Sequence, residues 1–163
     1  MISINSDDFW LYSKIQYSKP GVEEYCLSLQ NFYGGNVNIL LFCSWLGCSS
    51  IKLSTRDIIL ASKSVYQWEL DVVQSLRRAR KFIPQLVLTI KHESIVDSLR
   101  KLELISERAE QSILCEWANS QDLEIKTEKN SECSVTNINK YLIILDAPIL
   151  SLRNKLFSYK NMT

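Results

Sequence analysis

Apolar residues recur at spacings of three and four along most of this chain, which is the pattern of amphipathic helices. The segment that opens with Pro20-Gly21-Val22 is the first clear case, and proline suits a first helical turn because its missing N–H would be unpaired there anyway. Gly34-Gly35 can adopt positive φ and is expected to end that helix. Residues 37–46 are apolar on nearly all sides, so we expect their helix to lie in the middle of a bundle.

Three capping-box patterns predict further helix starts, because a serine can accept a backbone N–H while an acid or amide three residues later reaches back. They are Ser54 with Asp57, Ser64 with Gln67, and Ser94 with Asp97. The helix after Ser64 should end or kink at Pro84. A long helix from Ile95 is expected to bury one face, formed by Leu99, Leu102, Ile105, Ser106, Ala109, Ile113 and Trp117. Residues 86–90 could be strand or helix, since periodicity does not separate the two.

The last third of the chain begins with a polar, charge-rich stretch at residues 119–133, which indicates a loop. A further helix is predicted over 135–145, and Pro148 is expected to start a last one. Four glycines and three prolines are too few for a barrel or sandwich that turns every ten residues. The sequence therefore predicts an all-α, compact single-domain bundle of about seven helices over residues 1–163.

Charge adds a local asymmetry to this picture. The 19 basic and 18 acidic residues nearly cancel, but residues 74–102 hold seven Lys or Arg and two acids, and residues 103–132 hold eight acids and three basic residues. One interpretation is a patch that binds nucleic acid or another anion, formed by Arg77, Arg78, Arg80, Lys81, Arg100 and Lys101. The other is that cations crowd the end of a helix, where its dipole favours them.

Cysteines and apolar segments bear on the location of the protein. The five cysteines are odd in number and no two have the two-residue gap of a redox or zinc motif, so we expect reduced thiols and no metal site. The first ten residues lack a signal-peptide pattern. Residues 37–46 are too few to span a bilayer. These features predict a cytoplasmic protein that does not enter a membrane.

Candidate chemistry is sparse. A single histidine, His92, excludes most hydrolase triads, and no glycine-rich phosphate loop is present, so the sequence favours a protein that is not an enzyme and has no cofactor. Polar and aromatic residues inside apolar segments form the candidate binding cluster: Gln30, Asn38, Trp45, Trp68, Arg77 and Arg80. Asn38 should either cap a neighbouring helix or face a pocket, since a buried amide needs partners. Arg77 and Arg80 lie one turn apart and could reach one anion or one carboxylate together.

Several blocks of the first half resemble an uncharacterised family of small proteobacterial proteins. They are Phe9-Trp10, Tyr12-Ser13, Pro20-Gly21-Val22, Cys26-Leu27, Leu29-Gln30, Gly35-Asn36-Val37-Asn38, Leu40-Leu41-Phe42, Trp45-Leu46, Trp68 and Leu76-Arg77 with Arg80. The resemblance covers roughly residues 9–82 and implies that the candidate cluster belongs to a shared core, but it implies no activity or cofactor. The chain departs from the family at Asn31 and Asn36, where aspartates are expected.

Three functions remain open on the sequence. The leading one is a helical module that binds another protein; the second is binding of RNA or DNA through the basic segment 77–101; the third is a small-ligand or enzymatic pocket around Asn38, Trp45, Trp68, Arg77 and Arg80. The direction of Arg77 and Arg80 separates them. If both side chains point inward beside an amide, they serve to hold the fold together. If they point inward beside a void, they favour a ligand site, and if they point outward, they favour an anionic partner.

Overall fold

A computed structural model describes residues 4–86, 92–125 and 131–150. Its helical segments are α1 (Ser6–Tyr17), α2 (Val22–Tyr33), α3 (Val37–Cys48), α4 (Thr55–Trp68), α5 (Gln74–Phe82), α6 (Glu93–Asn119) and α7 (Ser131–Ile144). A π-helical turn (Glu69–Val73) joins α4 to α5, and a 3-10 turn (Ile83–Gln85) follows α5. Two short antiparallel strands, β1 (Ile51–Lys52) and β2 (Glu124–Ile125), pair Ile51 with Ile125. The predicted all-α class is confirmed.

The helix count is six in the described part of the chain, against the prediction of about seven. The difference arises because α4, the π turn and α5 run on as one continuous helix. The predicted start at Ser64 is therefore wrong: Ser64 lies inside α4, and its hydroxyl donates to the carbonyl of Ala61 at 2.7 Å instead of capping a helix end. The helix does end near Pro84, as predicted.

Other predicted helix boundaries divide into confirmed and wrong ones. Ser54 and Asp57 form the capping box of α4, with both reciprocal hydrogen bonds present, and Gly34 ends α2 at φ 64°. Ser94 is not a cap, because α6 begins at Glu93 and Ser94 falls within its first turn. Pro20 lies outside α2, because the turn between α1 and α2 closes on a glycine at φ 79° immediately before the helix.

Helix α3 lies at the centre of the bundle, as its apolar sequence predicts, and most of its side chains are buried. It packs most closely on α7, where Gly47 meets the backbone of Ser134 with no room for a side chain. Asn137 on α7 is fully buried; its amide donates to the carbonyl of Ile51 at 2.9 Å and accepts from the amide of Leu53 at 2.9 Å. These contacts connect α3, β1 and α7 into one core.

Buried thiols contribute to that core. Cys26, Cys43 and Cys115 are buried without forming disulfides, which confirms that they act as small apolar residues. Burial raises the pKa of Cys26 and of Cys115 to about 12, so neither thiol is activated at neutral pH.

Some features of the fold have no strong signal in the sequence. Helix α1 and the two-stranded sheet were not predicted, and the predicted loop 119–133 contains β2 and the first turn of α7. Residues 148–150 are not helical, and the rest of the predicted last helix lies outside the described residues. Residues 87–91 also lie outside them, so the choice between strand and helix at 86–90 stays open. Among the described helices, none is both long enough and apolar enough to cross a membrane.

The predicted buried face of α6 is correct only in part: Ser106 is buried as expected, but two of its apolar residues are not. Leu102 and Ile105 are 49% and 65% exposed, whereas Glu103 and Glu110 on the other side are buried. The predicted buried face is therefore wrong at Leu102 and Ile105. The physical reason is that the acids and amides of α6 find hydrogen-bond partners on α3 and α5, which offsets the cost of burying them.

Candidate functional site

A cavity of about 570 Å³ lies among α1, α2, α3, α5 and α6. Apolar atoms form the larger share of its wall, and nine charged residues are set into it: Lys14, Glu23, Glu69, Arg77, Arg80, Lys81, Glu103, Glu107 and Glu110. The cavity opens to solvent on one side, where Glu23, Leu27 and Leu104 are exposed. It falls within the range of small-molecule sites, about 300–1,000 Å³.

Three glutamates on α6 form the acidic side of the cavity. Glu103, Glu107 and Glu110 are separated by four and then three residues, so a helical repeat of 3.6 places them in one row along the helix. Glu103 and Glu110 are buried, and Glu107 is partly buried. Each carboxylate has a different set of partners, and that difference defines the chemistry of the site.

The first two carboxylates are bound by arginines of α5. Arg77 donates from Nε to Glu103 at 3.1 Å and from Nη2 to Glu107 at 3.0 Å, and Arg80 also binds Glu103 through Nε and Nη2. Burial alone would raise the pKa of Glu103, but the hydrogen bonds and charges of the two arginines outweigh it and hold the pKa below its usual value. Burial raises the pKa of Glu107, and Arg77 opposes that effect only in part.

Glu110 has no such cation. It is 1% exposed, and its two oxygens accept from Asn36 Nδ2 at 2.5 Å and from Asn38 Nδ2 at 2.8 Å. No lysine or arginine of the described residues forms an ion pair with it. Burial, opposed by the two amide hydrogen bonds, raises the pKa of Glu110 to about 7. This side chain therefore titrates near neutrality inside the fold.

The side-chain amides around Glu110 have orientations that fix one another. Asn36 caps α3 by accepting from the amide of Ile39 through Oδ1, so its Nδ2 must point at Glu110. Asn38 Nδ2 faces Glu110, so its Oδ1 faces Gln111, whose Nε2 donates to it at 2.8 Å. The oxygen of the same amide, Gln111 Oε1, then points away from Asn38. It is buried and has no hydrogen-bond partner among the described residues.

The structure brings four of the six predicted cluster residues to the cavity wall. Gln30, Asn38, Arg77 and Arg80 line it. The remaining two pack elsewhere. Trp45 stacks on Phe9 with ring centroids 4.9 Å apart, and Trp68 donates from its indole to the carbonyl of Ser106 at 2.9 Å.

The residues of the predicted anionic-ligand patch do not share one environment. Arg77 and Arg80 point inward to the acids of α6, whereas Arg100 pairs with Asp97 of its own helix at 3.0 Å on the surface. Arg77, Arg78 and Lys81 line a smaller, adjoining niche of about 250 Å³ together with amide side chains. No acid lines this niche within the described residues, so a basic niche adjoins the cavity, whose acidic side is formed by α6.

Sequence reasoning missed Glu103, Glu107, Glu110 and Gln111. The signal was present in the helical spacing of the three glutamates, but it was masked by the leucines and isoleucines between them, which suggested the opposite face as the buried one. Asn36 stands where the family is expected to carry an aspartate, and in the structure it is both the cap of α3 and a donor to Glu110.

The fold and the site together define a helical protein with a solvent-open cavity that contains several charged residues. The chain belongs to a family described as a protein of unknown function (DUF2390), whose model matches residues 8–114. This confirms the resemblance to an uncharacterised family and extends it beyond residues 9–82, since the match includes the glutamate row of α6. No curated protein and no solved structure matches the chain.

Proposed function

We propose that this protein binds a small polar molecule in the cavity between α3, α5 and α6. The observation that carries the proposal is the direction of Arg77 and Arg80. Both guanidinium groups turn inward onto Glu103, beside a void of about 570 Å³, instead of outward to solvent. Inward arginines packed without a void would serve architecture alone, whereas these line open space that a ligand can fill.

The lining suits a small molecule that carries polar groups. Charged and amide side chains from five helices converge on the cavity, set in a wall whose larger share is apolar. Small-molecule sites combine an apolar wall with a few fixed polar groups that set orientation. Here the polar groups are held by one another, as Arg77 is by Glu103 and Glu107, so they are ordered before a ligand arrives.

The proposal is tested by NMR on the ¹⁵N-labelled chain with a library of small polar fragments. We expect backbone amide shifts that concentrate at the start of α3, in α5 and in the middle of α6. Leu27→Trp adds bulk to a residue that lines the cavity and should weaken these fragments. Leu11→Trp is the matched control, because Leu11 is a similarly exposed leucine that does not line the cavity. No shifts, or shifts spread over the outer helix faces, would contradict the proposal.

A protein partner is a second candidate, favoured by the outward apolar side of α6. Leu102 and Ile105 are 49% and 65% exposed one turn apart, and large exposed apolar side chains in a group are typical of docking surfaces. Affinity purification should recover a reproducible partner with the wild-type chain and lose it with the double variant Leu102→Ser, Ile105→Ser, while Leu11→Ser keeps it. Failure to recover any reproducible partner contradicts this candidate. Either function would operate in the cytoplasm, where the buried thiols stay reduced.

A further inference from the structure

The three glutamates of α6 differ in how their charge is balanced. Glu103 is bound by two arginines and Glu107 by one, but Glu110, the most deeply buried of the three, receives only neutral amide donors. We propose that Glu110 anchors a positively charged nitrogen group of the ligand, an ammonium or a guanidinium, at the acidic end of the cavity. This inference rests on the proposed function, since it names the class of molecule that the cavity takes.

The hydrogen-bond inventory around Glu110 favours a donor. An ionised carboxylate offers about four acceptor positions, and the two asparagine amides occupy one on each oxygen. Gln111 also lines the cavity, and its Oε1 is a second acceptor that is buried and without a partner among the described residues. The interlocked amides prevent either residue from presenting an N–H to the ligand instead. A group with several N–H bonds therefore satisfies what this end of the cavity leaves open.

A buried carboxylate is costly unless a cation or several donors compensate it. A ligand cation at Glu110 would compensate its charge, as Arg77 compensates the charges of Glu103 and Glu107. The other end of the cavity adjoins the niche lined by Arg77, Arg78 and Lys81, which suits a carboxylate or phosphate. The ligand class that fits both ends is a small molecule with an amine at one end and an acid at the other.

A matched five-carbon series tests the assignment: 5-aminopentanoate, 1-aminopentane, pentanoate and pentan-1-ol, each titrated by NMR. We expect the two amines to bind more tightly than their amine-free counterparts. Glu110→Gln should weaken both amines by about tenfold or more, the loss of a charge-assisted contact, and leave pentanoate unchanged. Glu116→Gln is the control, because Glu116 is an exposed acid of the same helix that does not line the cavity. Pentanoate binding also reports that the variant keeps a folded cavity.

The wild-type chain gives an independent readout through pH. Because the pKa of Glu110 is about 7, its ionised fraction and the affinity for 1-aminopentane should both fall about tenfold from pH 8 to pH 6. The amine itself stays protonated over this range. The other ionisable groups that act on Glu110 or line the same cavity are Lys14, Tyr17, Glu23, Glu69, Arg77, Arg80, Lys81, Glu103, Glu107 and Tyr141.

The outcomes distinguish the two levels of the proposal. The assignment of Glu110 is wrong if the amines bind Glu110→Gln as tightly as they bind the wild type. It is also wrong if pentanoate and pentan-1-ol bind the wild type as tightly as the amines do. In both cases the cavity remains a ligand site. The same holds if library fragments bind in the cavity and neither amine does. If no fragment and no probe shifts the cavity residues, the proposed function itself is wrong.

Discussion

Replacing Glu110 by glutamine should change how stability depends on pH. The pKa of Glu110 is about 7 in the folded chain, because of burial, against an ordinary value of 4.5 when unfolded. The group therefore stabilises the fold fully only below pH 4.5, and this contribution is lost as pH rises through 7. At about 1.4 kcal/mol per pH unit, the interval between 4.5 and 7 is worth about 3 kcal/mol.

The assay is urea unfolding of wild type and Glu110→Gln at pH 5 and pH 8. The variant stays neutral at both values, so its free energy of unfolding relative to wild type should rise by about 2–3 kcal/mol between them. Groups that do not interact with Glu110 titrate alike in both chains and cancel in the difference. The coupling of Glu69 and Glu107 to Glu110 is a smaller effect than burial. Glu116→Gln, an exposed acid of the same helix, is the control and should show no such rise.

A difference between wild type and Glu110→Gln that stays constant from pH 5 to pH 8 would refute the reasoning. It would mean that the carboxyl of Glu110 is either hydrated or already paired with a cation in the folded protein. A difference that falls with pH would be a stronger contradiction, since that sign belongs to a carboxylate whose pKa is lowered by folding.

Three further predictions concern packing, capping and charge. Gly47→Ala should destabilise the fold by about 3 kcal/mol, because the new methyl would overlap the backbone of α7; a chain that unfolds at the wild-type urea midpoint would contradict this close approach. Ser54→Ala should lower the thermal midpoint through the loss of about 1 kcal/mol of capping, whereas Ser64→Ala should not; equal effects would contradict the helix start. Arg77→Met should lower the free energy of unfolding by about 2 kcal/mol, because it leaves buried acids uncompensated. Arg100→Met removes an exposed ion pair and should change the free energy of unfolding little. Equal urea midpoints for the two variants would contradict the inward direction of Arg77.

The helices that the sequence predicts well are those with a strong local signal. The capping box at Ser54, the glycine stop at Gly34 and the fully apolar α3 depend on residues within one or two turns of each other. The false start at Ser64 shows the limit of such signals. A serine followed by a glutamine three residues later fits a cap, but it equally fits a helix interior when the preceding turn is already helical.

The candidate site depends on contacts that no local pattern contains. Glu110 lies 74 and 72 residues from Asn36 and Asn38, and it is buried only because those amides meet it. A helix with leucines on one side and glutamates on the other is normally expected to bury the leucines. In α6 the tertiary partners reverse that expectation, so Leu102 faces outward and the acids face the cavity.

The most direct test of the account is the titration of the Glu110 carboxyl carbon by ¹³C NMR, with and without saturating 5-aminopentanoate. We expect a pKa of about 7 in the protein alone, because the buried carboxylate lacks a cation. With the probe bound, the pKa should fall by about one unit or more, since an ammonium in contact favours the ionised form. A pKa near 4.5 in the protein alone, or one that the probe leaves unchanged, would contradict the account.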